Sequence, residues 1–346
     1  MKSFLKRSKK DTSSQDASPV RITNETVAEH REQVLAGGRK FKYPVQYQKH
    51  KLVINSIIIG VVAVIVLTLL GWYQLYVAQD SSKLLYRVTQ ILPVAVASVD
   101  GEPARYSDYL MRYRSSVFYL QQQNQINVRS NEDKRQIEYM KREELNKVEQ
   151  LAYVAKLARE KNITVTSAEV DAFIKKDVDA RSVSMNAYEK TVLNSFYDWS
   201  LDEYRGIVRG ELLKRKVSLA IDTTAKIKAE GLRAKVAGGS DIAIVAKESS
   251  DDETTKVTSG DSGLLSLENQ DSSGLIAAAK QLEVGQLSGL IEGVDGYYFI
   301  KLISKDSTSV RYSVVKVALT AFNERFAQLQ KDGKIKEYIH IDKISE

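Results

Sequence analysis

Cysteine is missing from all 346 residues. That excludes disulfides, thiolate metal sites, a cysteine nucleophile and a lipid-modified N-terminal cysteine. Histidine is almost as scarce. Only His30, His50 and His340 occur, and the first two precede a long apolar run, so the chain beyond that run has one imidazole. No Walker or dinucleotide glycine motif, no HExxH and no GxSxG is present. Nucleotide, zinc-hydrolase and serine-hydrolase chemistry therefore lack their usual carriers. Net charge is missing from most of the chain as well. The overall +7 comes from residues 1–51, with 12 Lys/Arg against 5 Asp/Glu, while the remainder holds 39 of each sign. A folded part without net charge has no basic footprint for nucleic acid. The expectation is no nucleic-acid partner, no metal and no cofactor.

Charge is absent again from Leu52 to Gln79, LVINSIIIGVVAVIVLTLLGWYQLYVAQ. A bilayer's hydrocarbon core takes about 20 apolar residues as helix, and residues 52–77 supply them. Trp72, Tyr73 and Tyr76 cluster at the far end, where amphipathic rings favour the headgroup layer. Lys42, Lys49 and Lys51 stand on the near side. The positive-inside rule then keeps the N-terminus cytoplasmic and exports the rest, giving a single-pass cell-membrane protein with an extracytoplasmic C-terminal part. A cleaved signal peptide fits poorly, because the run starts late, is too long and ends without a small-x-small site. The tail, residues 1–51, opens with KSFLKRSKKDTSSQDASP. That composition is expected to be disordered, with the basic cluster at residues 6–10 setting topology.

Beyond the membrane, PVAVASV (93–99) predicts a strand, Asp100-Gly101 a turn, and Tyr106 onward a helix. Apolar residues at three- and four-residue intervals predict a long helix at 133–161, stopped by Asn162. Thr166-Ser-Ala-Glu169 and Ser200-Leu-Asp-Glu203 are capping boxes that each open a helix. Helices are expected again at 225–236, 241–246 and 274–280, a loop through SSDDETTKVTSGDSG, and strands at 296–303 and 309–319. A helix and a short strand close the chain.

These segments carry a resemblance. VAVASVDGEPARYSDYLMRYR, LNKVEQLAYVAKLAREKNITVTSAEVDAFI and SLDEYRGIVRGELLKRKV resemble the N-terminal chaperone domain of SurA/PrsA/PpiD-type extracytoplasmic foldases. AKESSDD, SGDSGLL, LEVGQLSGLI and DGYYFIKL resemble, in order, the segments of a parvulin-type peptidyl-prolyl isomerase domain. The implied fold is α+β: a single transmembrane helix, a mostly helical SurA-like chaperone domain at 93–217, and a small parvulin-like α/β domain at 225–319. Residues 320–346 form a C-terminal helix and strand.

Turning an X-Pro bond means crossing a barrier of roughly 18–20 kcal/mol set by amide resonance. A pocket lowers it by binding the twisted imide better than either planar isomer. Parvulins are expected to use two histidines, an acidic or thiol group and an apolar proline seat. In this chain Tyr298 stands where the last-strand histidine would be. The other histidine belongs to a first strand directly after the chaperone domain, yet KVSLAIDTT holds none. A strand of that type occurs later, VRYSVVKVAL (310–319), and is read as the missing strand supplied in permuted order, with Val314 at the histidine position.

The resemblance leaves Asp252, Ser250 and Tyr298 as catalytic candidates and Leu265, Phe299 and Ser288 as substrate-binding candidates. The same residues also read as turn, cap and core. With both histidines gone, the function expected is a membrane-anchored chaperone or foldase for unfolded exported polypeptides, with weak or absent isomerase activity. An active parvulin-type isomerase and a non-catalytic envelope scaffold are the alternatives.

Overall fold

The computed structural model describes residues 23–42, 44–123, 133–269 and 271–341. The chain divides into two compact units, Met1–Trp72 and Tyr73–Glu346. The first holds α1 (Asn24–Lys42) and α2 (Pro44–Trp72). The tail expected to be disordered is therefore helical over Asn24–Lys42, while residues 1–22 lie outside the described residues. Charge and low hydrophobicity point to disorder, but Arg31, Glu32, Gln33, Leu35 and Ala36 are good helix formers. The start is also closed locally: the Thr26 hydroxyl donates to the Thr23 carbonyl at 2.8 Å and accepts the Thr23 N–H at 3.0 Å. Pro44 opens α2, a position where its missing N–H costs nothing. Helix runs unbroken from His50 to Val77, long and apolar enough to cross a membrane, and its most apolar window is wholly unburied. Its last turn departs from the expected span 52–77, because Leu75 is buried in the core of the second unit and Tyr76 packs beside it.

The second unit begins with a π-helical turn, Tyr73–Val77, followed by α3 (Lys83–Ile91), whose N-cap Ser82 accepts the Leu85 N–H. β1 (Ala95–Val99) turns at Asp100 and Gly101, both with positive φ, into β2 (Glu102–Arg105). This return strand is absent from the sequence reading, because EPAR is short, polar and interrupted by Pro103. Next come α4 (Tyr106–Gln122) and α5 (Lys134–Glu160). Asn162 ends α5 in the left-handed region, with the Ile163 N–H returning to the Ala158 carbonyl.

Both expected capping boxes exist. Thr166 and Glu169 open α6 (Ser167–Ala180), and Ser200 and Glu203 open α9 (Leu201–Ile221). Between them lie α7 (Met185–Tyr188), a π-helical stretch Glu189–Asn194 and α8 (Ser195–Tyr197). Tyr188 and Leu193 close this region against Val170, Ile174 and Val208.

The remaining elements are α10 (Thr223–Ala237), α11 (Ile242–Ser249), α12 (Glu253–Lys256), β3 (Leu265–Ser266), α13 (Leu275–Gln281), β4 (Ile291–Glu292), β5 (Gly296–Lys305) and β6 (Ser309–Ala318). α12 interrupts the stretch expected to be loop. Asp252 nucleates it, accepting the Thr254 N–H at 3.1 Å. The four strands form an antiparallel sheet in the order β3-β6-β5-β4. β6 pairs with β5 from Gly296↔Ala318 to Lys305↔Val310. Residues 212–224, where a first strand would stand, are instead the end of α9 and the start of α10. The central strand is thus supplied from the C-terminal side, in the permuted order.

The sheet is buried on both faces. Tyr297, Phe299, Val315 and Val317 pack against α10 and α11, whereas Tyr298, Ile300, Tyr312 and Val314 pack against α13. The C-terminal α14 (Ala321–Lys331) and β7 (Ile335–Glu337) then leave this lobe. β7 adds to β1 at Ala97↔Glu337, making a three-stranded sheet β2-β1-β7. Phe322, Phe326, Ile339 and Ile341 enter the core built by Val96, Leu110, Leu145 and Val154. The first lobe is therefore completed by the end of the chain.

Candidate functional site

On β5 and β6 the two positions of interest share one sheet face. Val314 is paired with Ile300, and Tyr298 lies one side-chain repeat away from Ile300, paired with Lys316. Val314 cannot handle a proton, and the Tyr298 hydroxyl is already engaged with Asp295. Val314 is an alkyl group at 2% exposure, and its backbone N–H donates to the Gly260 carbonyl at 2.8 Å. Gly260 has φ +84, and an added Cβ would meet Ala246 and the Val314 carbonyl. This is a position that needs glycine.

Tyr298 is held by its neighbours. Its hydroxyl donates to Asp295 Oδ1 at 2.5 Å, and Lys316 Nζ lies 2.6 Å from Asp295 Oδ2 and 5.7 Å from the Tyr298 ring centroid. Burial, reinforced by Asp295, pushes the phenol above its ordinary value. Burial also opposes charge on Asp295 and on Lys316. Their mutual bond, the contacts of both with the Tyr298 hydroxyl and their charge attraction together outweigh it, so the carboxyl sits below its ordinary value and the ammonium above. A phenol tied to a charged pair in this way is a strut.

The other candidates are also committed to structure. Ser250 is fully buried, and its Oγ accepts the Lys316 N–H at 3.1 Å and the Asp252 N–H at 3.3 Å. Asp252 caps α12 and accepts the Thr255 hydroxyl at 2.8 Å. The Ser288 hydroxyl accepts the Ile300 N–H at 2.9 Å and donates to the Gly289 carbonyl at 2.7 Å. Leu265 packs on the same face as Tyr298. Phe299 lies on the opposite face, beneath α10 and α11. The six residues are therefore not gathered around one cleft. His340 is exposed and remote in sequence from all of them. Among the described residues no group of three His, Asp or Glu side chains converges as a metal site.

What the fold does open is a groove of about 880 Å³ between the lobes, lined from α6, α9, the 267–274 loop, α13, residues 294–295 and α14. Ligand-holding clefts span roughly 300–1,000 Å³. Its apolar lining includes Phe173, Leu212, Leu267, Ile276, Ala277, Val294 and Leu319. Phe173 and Val294 are nearly half exposed, at 46% and 45%. Charges of both signs alternate around it: Lys176, Lys214, Arg215 and Lys280 with Asp177, Glu211, Glu268, Asp271 and Asp295. Arg215 fixes one wall, its Nε donating to the Gly293 carbonyl at 3.0 Å and its guanidinium also to the Glu292 carbonyl. Lys214 Nζ lies 5.4 Å from the Phe322 ring centroid, and burial lowers its pKa.

Sequence reasoning missed this groove, since its walls come from segments far apart in the chain. One local sign existed. Phe173 widens the apolar face of α6 beyond the Val170–Ile174–Val178 stripe that is buried, and is itself 46% exposed.

A sequence family described as the SurA-like N-terminal domain matches residues 46–218, half of the chain. The chain belongs to this family. A second family, described as the PPIC-type PPIASE domain, matches residues 212–304. A SurA-like chaperone domain followed by a parvulin-type domain is the build of a SurA/PrsA-type foldase. The second match ends at residue 304, within β5 and before β6 begins at Ser309. Among solved structures, the foldase protein PrsA from Streptococcus pneumoniae str. Canada MDR_19A is similar at 15% identity, over 54% of this chain and 74% of that one, with a TM-score of 0.19. No curated protein matches.

Proposed function

We propose that this SurA-like foldase is a membrane-anchored, extracytoplasmic chaperone that holds unfolded exported polypeptides in the inter-lobe groove and turns prolyl bonds weakly or not at all. In this reading residues 1–51 are the cytoplasmic tail and residues 52–77 the anchor, oriented by the basic tail. Residues 93–217 with 320–341 form the chaperone lobe, and residues 225–319 the parvulin-like lobe. The observation that carries it is the packing at Tyr298 and Val314: one is a phenol bound to Asp295, the other an alkyl group inside the core. Removing polar groups from a preorganised site costs orders of magnitude in rate, and here both are replaced. The groove supports the holding role. Its apolar floor and rim of both signs suit segments of varied sequence, as a client binder requires.

The test uses the full chain in lipid nanodiscs. Light scattering of a denatured client should fall in its presence, and Phe173→Glu, an exposed-site change, should weaken that protection several-fold. Exchange NMR on an Ala-Pro peptide should show no more than a small rate gain. Robust prolyl turnover would sink the reading, as would full protection by the Phe173→Glu variant.

A further inference from the structure

α3 has two apolar faces. Leu85, Tyr86 and Thr89 are buried in the first lobe, while Leu84, Val88, Ile91 and the following Leu92 stand 73, 39, 83 and 54% exposed. The spacing of Leu84, Val88 and Ile91 places them on one stripe along the helix, and Leu92 follows at its extended C-cap. Single exposed leucines are ordinary, but four apolar residues within nine form a contiguous patch that calls for a partner. The patch has a definite position in the chain. Only residues 78–82 separate Val77, the end of the apolar helix, from Lys83, and five residues reach at most roughly 20 Å. Trp72 and Tyr73, 55 and 52% exposed, precede that gap, the residue types that settle at the headgroup layer, whereas Tyr76 packs into the lobe, its hydroxyl donating to the Ala95 carbonyl at 2.7 Å. Arg87 is exposed on the flank of the stripe, while Lys83, one turn earlier, lies 3.7 Å from Asp198. An exposed apolar stripe with a cation at its edge is the pattern of a helix lying in the plane of a membrane surface.

We propose that α3 rests on the outer leaflet of the bilayer, its Leu84–Val88–Ile91–Leu92 stripe in the acyl boundary and Arg87 against lipid phosphate. The lobe that carries α3 would then be seated on the membrane at a fixed height. The proposal rests on residues 52–77 being the anchor.

The chain's lack of cysteine makes the test direct. Single-cysteine variants Leu84→Cys, Ile91→Cys, Leu70→Cys and Val257→Cys, the last 83% exposed in the other lobe, are labelled with an environment-sensitive fluorophore. Each full chain is placed in vesicles of phosphatidylcholine and phosphatidylglycerol, with and without brominated acyl chains. The expected result is loss of emission by brominated lipid at positions 70, 84 and 91 and none at 257. Quenching at 70 without quenching at 84 and 91 overturns the proposal and leaves the anchor standing. No quenching at 70 overturns the anchor, and the proposal with it. A blue shift at 91 without lipid quenching assigns the stripe to a protein partner or a second copy, which also overturns it.

Discussion

Glu149, on α5, is 3% exposed and its Oε1 has no hydrogen-bond partner among the described residues. Burial raises its carboxyl to about 8, with Glu337 adding to the rise and Arg142 opposing it. In the unfolded chain the same group titrates near 4.5. Between these values the folded protein keeps a proton that the unfolded chain has released, so stability falls as pH rises. The contribution is complete below the ordinary glutamate value and is lost through about pH 8. Going from pH 6 to pH 9 should therefore cost on the order of 3 kcal/mol from this one group, and Glu149→Gln should remove that slope. Thermal unfolding of both proteins at the two pH values checks it. Parallel curves for variant and parent would show that Glu149 is not the source.

At the scale of elements, the end of the chain belongs to the beginning. Phe322 and Phe326 stack on one another at 6.2 Å and pack beside Tyr153, with centroids at 5.6 and 6.2 Å. β7 supplies the third strand of the β1 sheet. Phe322→Ala should cost about 3–5 kcal/mol, and hydrogen exchange should quicken in α5 and β1 before it does in β5 and β6. Faster exchange confined to α14 would mean that the first lobe stands without it. This element also shows where legibility in the sequence ends. The capping boxes at Thr166 and Ser200, the stop at Asn162 and the alternation of β6 are local patterns, and each was readable from neighbouring residues. β2 is too short and Pro-interrupted to show an alternation, α12 depends on a cap within a polar run, and the destination of β7 depends on a partner far along the chain, so local periodicity carries no trace of them. The exposed stripe of α3 falls in what reads as a connector. For the site, Tyr298 and Val314 were assigned to the two histidine positions by resemblance alone, and the commitments of Ser250, Asp252 and Ser288 to backbone N–H groups needed coordinates.

For the whole molecule, the question is what holds the groove open. The chain passes between the lobes twice, from α9 to α10 and from β6 to α14, and a single carboxylate joins both crossings. Asp222 is 4% exposed. Its Oδ1 accepts the Ala225 N–H at 3.0 Å, and its Oδ2 accepts the N–H groups of Thr320 and Ala321 at 2.8 and 3.0 Å. Burial alone would raise its pKa, but these three donors with Arg325 outweigh it and hold the carboxyl below its ordinary value. Its stabilising effect is thus present above the ordinary aspartate range and lost as pH falls through the lower folded value. Asp222→Ala strands three backbone donors, one buried and two part-buried, and should cost about 2–4 kcal/mol. If the carboxylate is also the joint between lobes, the loss will appear in geometry as well as in stability. Dyes on Lys176→Cys and Glu268→Cys, across the groove in a chain with no other thiol, should report one narrow distance in the parent and a broad, longer distribution in the Asp222→Ala background. A lowered melting point with an unchanged distance distribution would reduce Asp222 to a helix cap and leave Arg215, bonded to the Gly293 carbonyl, as the contact that sets the width of the groove.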